Sequence, residues 1–309
     1  MRSLHLLASA ALLSVAVGAH ADNNAKLVQT GNDNDATLDQ AGVLNEVTIR
    51  QNGTANSGAI FQRDMAEANQ ASLVQIGSSN EATIYQEPDS HFATASIYQE
   101  GAGNRAEVEQ TWYANDLQLS SIGDNNLISA TQQGLAQAEA YQIGNNNSVT
   151  LDQYGIYHGT TLALYQVGDE NLASIEQGDA GTIKLAQNGN LNTATISQYN
   201  LFGEVEFNQV GDDNLLTVEQ SGRSNAFRGS STGNGNSVEV VQRYDGNQAS
   251  VVQSGDDNIA AINQLAGYSE ARINQVGMAN QASITQNAEL MNAVISQTGT
   301  GNMATVTQQ

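Results

Sequence analysis

Apolar and polar residues alternate with a period of two in short runs along this chain. A glycine, asparagine or glutamine breaks the pattern at intervals. Asn280, Ala282, Ile284 and Gln286 hold every second position of one run, with Gln281, Ser283 and Thr285 between them. Ala271, Ile273 and Gln275 repeat the pattern just before it, as do Ala25, Leu27 and Gln29 near the start. Such alternation predicts strands with one buried face, because successive side chains on an extended backbone point to opposite sides.

The runs recur at a fixed spacing. Thirteen copies of the tetrad Gly-x-x-Asn, from Gly31 to Gly299, follow one another at intervals of 21 to 24 residues, most often 22. A glutamine follows each Asn by six residues, and in eleven copies another precedes the Gly by two; Ser121 and Ser231 are the exceptions. Two short strands per copy, reversing where glycine tolerates positive φ, predict an all-β fold. The expected architecture is a β-solenoid of about thirteen 22-residue turns with amyloid-like cross-β stacking. One turn buries two larger aliphatic side chains, at roughly 1.5–3 kcal/mol each. Ordering its backbone costs about 1–2 kcal/mol per residue. A turn alone is therefore unstable, and stacking is obligatory. At ~4.8 Å per rung the rod would be about 60 Å long.

Inward amides demand partners, since a buried unpaired amide is costly. In-register stacking lets each amide bond to its copy one rung away, as a ladder along the rod axis. The ladder positions expected on this reasoning are Gln29, Asn34 and Gln40 in the first copy, and Gln75, Asn80 and Gln86 in the third. In the last two they are Gln275, Asn280 and Gln286, then Gln297, Asn302 and Gln308.

The first residues predict that the chain is exported. Residues 1–21 have the form of a signal peptide: Arg2, an apolar run from Leu6 to Val17, and the small-x-small site Ala19-His20-Ala21. Residues 22–309 are then the repeat domain. Nothing later has the length and apolarity of a spanning helix. Whole-chain charge is −22; losing Arg2 with the leader makes it −23. That balance argues against nucleic acid as a partner, since neutralising phosphates needs clustered Lys and Arg. With no cysteine, stability rests on packing and hydrogen bonds alone.

The segment Gln75-Ile76-Gly77-Ser78-Ser79-Asn80-Glu81-Ala82-Thr83-Ile84-Tyr85-Gln86 resembles the repeat of curlins, the subunits of bacterial curli fibres, and so does Gln275 to Gln286. The resemblance extends over nearly all of Asn23 to Gln309. It implies export through a dedicated outer-membrane pore, assembly outside the cell, and a part in adhesion and biofilm matrix. It also implies a nucleator subunit as partner; the acidic balance and the intact final repeat point towards the major subunit. One departure is that the repeat begins almost directly after the leader, at Asn23, where curlins carry a non-repeat segment.

The expected function is a self-assembling structural subunit of an extracellular fibre. Uncapped first and last strands leave edges that another copy can extend. Acids in the reversals, among them Asp33, Asp124, Asp169, Glu170, Asp212, Asp213, Asp256 and Asp257, act as gatekeepers against premature assembly. Calcium binding is the sharper alternative, but the nonapeptide of calcium-binding β-rolls is missing. His91 and His158 read as exposed loop residues, and no catalytic motif or cofactor site is expected. Trp112, Phe227, Arg228 and the lengthened Glu87-Pro88-Asp89 segment mark imperfect turns. The competing reading is a soluble secreted β-solenoid adhesin or ligand-binding module, which would fold without growing.

Overall fold

The computed structural model describes residues 22–63, 66–87, 89–178 and 180–309. The signal-peptide expectation and Pro88 fall outside them. Among the described residues the fold is all-β. It holds twenty-four strands from β1 (Asn24–Asn32) to β24 (Met303–Gln308), and no helix long and apolar enough to cross a membrane.

Each strand pairs in parallel with the strand one turn further on. β1 lies on β3 (Glu46–Thr54) from Asn24↔Glu46 to Asn32↔Thr54, and β2 (Asp35–Gln40) lies on β4 (Ser57–Gln62) in the same way. Strands preceding the Gly-x-x-Asn tetrads stack into a first face and those following them into a second. The tetrad makes one reversal, the Gly-Asn arc, and a return arc makes the other. Thirteen turns carry fewer than two separate strands each because β10 (Leu127–Ile143) and β11 (Ser148–Val167) continue through the return arc onto the next face. The register shifts between Gly134 and Ala136 as β10 does so.

The core runs the length of the rod between the faces. In β5 (Gln70–Ser78), Ala71, Leu73 and Gln75 are buried, and in β6 (Glu81–Gln86), Ala82, Ile84 and Gln86. The imperfect turns keep core volume nearly constant. Where Ser231 replaces Gln and Gly229 replaces an aliphatic residue, Phe227 takes the alanine position and stacks on Phe207 at 5.4 Å between centroids. Where Ser121 replaces Gln, Leu117 takes the alanine position. Phe227 is thus a core residue rather than an intrusion.

Candidate functional site: the axial amide columns and their ends

Glutamines of the second face form an unbroken column from Gln40 to Gln308, through Gln86 and Gln286. Each Nε2 donates to the Oε1 of the next turn at 2.7–3.0 Å. The first-face column begins with Gln29 to Gln51, Gln51 to Gln75 and Gln75 to Gln99, at 2.8–2.9 Å. There it stops, because the Ser121 side chain is too short, and Gln99 donates only to the Glu81 carbonyl. Ser121 Oγ donates onward to Gln142 at 3.2 Å, and the column runs to Gln209 before breaking again. Ser231 starts the last segment, which ends with Gln275 donating to Gln297 at 2.9 Å.

A third column is made by the tetrad asparagines, and it donates in the opposite sense. Asn56 Nδ2 donates back to Asn34 Oδ1 at 2.9 Å, Asn80 to Asn56 at 3.0 Å, Asn280 to Asn258 at 3.0 Å and Asn302 to Asn280 at 2.8 Å. Each Oδ1 also accepts the backbone N–H of the Asn one turn on, as Asn147 Oδ1 does from Asn171 at 3.0 Å. The second Nδ2 hydrogen closes the arc on the next glycine's carbonyl, as from Asn147 to Gly168 at 2.7 Å. These glycines cannot be replaced freely. Gly77 has φ 117°, and a Cβ there would lie 2.0 Å from the Gly101 carbonyl oxygen.

The columns leave complementary ends. Among the described residues nothing donates to Gln29 Oε1, Gln40 Oε1 or Asn302 Oδ1. Gln297 and Gln308 each use one Nε2 hydrogen, on the carbonyls of Gln281 and Asn292. Among the described residues β1 and β2 have strand partners on one side only, as do β23 (Asn292–Thr300) and β24. Residues 275–309 hold a single charged side chain, Glu289.

Outside the Gly-Asn arc a further column alternates along seven successive turns: Asp124, Asn145, Asp169, Asn190, Asp212, Asn234 and Asp256. Each of these carboxylates accepts a backbone N–H from the turn before, for example Asp169 Oδ1 from Asn145 at 2.7 Å. Asn145 and Asn190 add a side-chain N–H to the same oxygens at 3.0 and 3.1 Å. On the second face Asp152 pairs with Glu176 of the next turn. Burial, and then the Glu176 charge, push the Asp152 carboxyl above its ordinary range. Among the described residues no group of three or more acidic, His or Cys side chains could hold a metal ion.

The histidines differ from expectation. His91 is half-buried in the return arc, edge-on to Tyr113 at 6.1 Å, with Nδ1 3.7 Å from Glu67. His158 is exposed but lies within β11, 5.5 Å from the Phe202 ring.

The family model for the curlin associated repeat matches residues 211–243, 233–265 and 277–309. No curated protein matches the chain.

Proposed function

This chain is a curlin-repeat protein, and we propose that it is the structural subunit of an extracellular amyloid-like fibre that grows by end-to-end stacking. The observation that carries this reading is the chemistry of the two ends. A second copy stacked in the same direction lets Gln297 and Gln308 donate to its Gln29 and Gln40. Its Asn34 N–H donates in turn to Asn302 Oδ1. All three columns then cross the junction with their sense unchanged. A reversed copy would set acceptor against acceptor or donor against donor, so the fibre is polar. The nearly uncharged stretch 275–309 lets an acidic partner approach that end without strong repulsion.

On this reading residues 1–21 are a signal peptide, and the ladder residues are the polymerisation site. An outer-membrane secretion pore and a nucleator subunit are the partners in assembly, and adhesion and biofilm matrix are the uses of the fibre. The role is structural rather than catalytic.

The test is to dilute the mature chain, residues 22–309, from denaturant and follow thioflavin T fluorescence with fibre diffraction. Expected are a lag removed by preformed seeds and reflections at about 4.7–4.8 Å and ~10 Å. Prompt folding to a monomer that never seeds would overturn the proposal in favour of a soluble secreted module.

A further inference from the structure

The sides of the rod are not equivalent in charge. First-face strands carry Lys26, Arg50, Lys184, Arg228 and Arg272 against seven acids, whereas second-face strands carry Arg105 and Arg223 against nine. The thirteen tetrads of the Gly-Asn arc hold eight acids and no cation. On the first face, moreover, Arg228 is paired with Glu204 and Arg272 with Glu270. Two rods of the same acidic chain repel less across the first face than across the second, and the first-face segments 116–122, 137–143 and 161–167 themselves carry only two acids, Asp116 and Glu139.

The same face carries a contiguous apolar patch. Ile122, Ile143 and Val167 stack in register on three successive turns and are 37%, 48% and 42% exposed. Beside them Tyr141 and Tyr165 stack at 5.2 Å with planes 9° apart. Among the described residues the second face has no such run of three: its exposed Leu127, Leu172, Leu215 and Ile259 are each separated by a turn bearing Ser or Thr at that position, and its stacked pair Phe61 and Tyr85 lies between Asp39 and Glu109 of the adjoining turns. Water-facing isoleucine and tyrosine on consecutive rungs of a flat sheet are an unpartnered surface. A symmetric contact, in which the patch meets itself, covers it on both copies at once.

We infer that the first face between Ile122 and Val167 is where two copies of this chain meet side by side. The pairing of whole fibres through this face rests on the fibre reading above; the contact between copies does not. In a fibre the patch recurs once per molecule, so contacts that are weak singly add along the length.

The absence of native cysteine makes the test direct. Ile143→Cys and Leu172→Cys variants of the mature chain, oxidised under identical conditions, report which face meets its copy. Ile143→Cys should give at least about fivefold more covalent dimer, because a disulfide requires the two Cα atoms to come within roughly 7 Å. Equal yields, or more from Leu172→Cys, overturn the inference. Where seeds elongate, Ile143→Lys/Val167→Lys should keep the parental elongation rate and lose side-by-side pairs in electron micrographs, with Leu172→Lys retaining them. Pairing that survives the double substitution, or is lost equally in Leu172→Lys, also overturns it. A parent chain that never elongates defeats the fibre reading and leaves the cysteine comparison to decide this one.

Discussion

The two arcs of each turn meet the same demand, reversing the chain, by different means. The Gly-Asn arc has the same length in all thirteen turns and an asparagine in every one. The return arc needs seven residues to go from Gln62 to Asn69 but only four from Gln132 to Ala136 or Gln177 to Gly181. Asn45, Asn69 and Asn115 play in it the part of the tetrad asparagines, yet Ala93, Ala136, Thr160, Gly181 and Gly203 stand at the same place in other turns. Among the described residues the buried side-chain polar atoms without a hydrogen-bond partner, His91 Nδ1, Thr160 Oγ1 and both amide atoms of Asn200, all lie in the return arc. One arc therefore sets the register by continuous hydrogen bonding, and the other absorbs every change in length. A solenoid needs only one strict corner per turn.

The largest effect should come from moving a length change into the strict arc. Two glycines inserted between Asn145 and Asn146 orphan the Asn147 amide, the Gly168 carbonyl and the Asn171 N–H. At about 1–3 kcal/mol for each buried group left unpaired, the local cost is on the order of 3–9 kcal/mol. The same insertion between His158 and Gly159, in the stretch that bulges out between the Gly134↔Gly155 and Ala136↔Thr160 pairs, should cost less than about 1 kcal/mol, since loop entropy grows slowly with length. Amide hydrogen exchange in the flanking turns reads both, and equal loss of protection would refute the distinction.

A smaller contrast comes from single side chains. Asn147→Ala removes bonds to Gly168, Asn126 and Asn171 and should cost about 2–3 kcal/mol. Asn115→Ala removes one bond to the Thr111 carbonyl and a longer contact at 3.4 Å from the Ala136 N–H, and should cost about 1 kcal/mol. Denaturation midpoints of the two variants give the order.

The smallest effect is electrostatic and lies away from either arc. The fold disfavours the charged form of Asp152, so its contribution to stability falls as pH rises through its raised pKa and recovers on acidification. Asp152→Asn should flatten the pH dependence of the denaturation midpoint from about pH 4 upward. An unchanged slope would remove Asp152 from the account.

The thirteen-turn architecture was legible because two independent signals agree: period-two alternation within runs, and a tetrad repeating every 22 residues or so. Alternation also places Gln86 and Asn80 on the inner side of their strands. It carries no information on the direction in which each amide donates, which depends on the neighbours above and below. The return arc was opaque for a physical reason: with no obligatory glycine or asparagine it has no fixed signature. The tetrad's third residue is held at positive φ, which reads naturally at Gly103 and Gly235 but not at Leu191, where φ is 58°. There the interlocked arc overrides local preference, a constraint that exists only once the turns are stacked. Phe227 looked misplaced because its compensation, Gly229 and Ser231, is spread along the strand.

The alternation of Asp and Asn outside the Gly-Asn arc sets a linear charge density. Carboxylates on every second rung lie about 9.6 Å apart, twice the inter-strand spacing. An unbroken Asp column would hold them at ~4.8 Å. The wider interval is close to the Debye length of about 8 Å at physiological ionic strength, so carboxylates of this column on different rungs are largely screened from one another, while Glu170, Asp213 and Asp257 add a second charge on three of the same rungs. At 0.01 M salt the Debye length grows to about 30 Å and the same column acts as one continuous charged edge. The edge of the rod thus repels a like edge far more strongly in dilute solution than at physiological salt, and dilution alone makes the change.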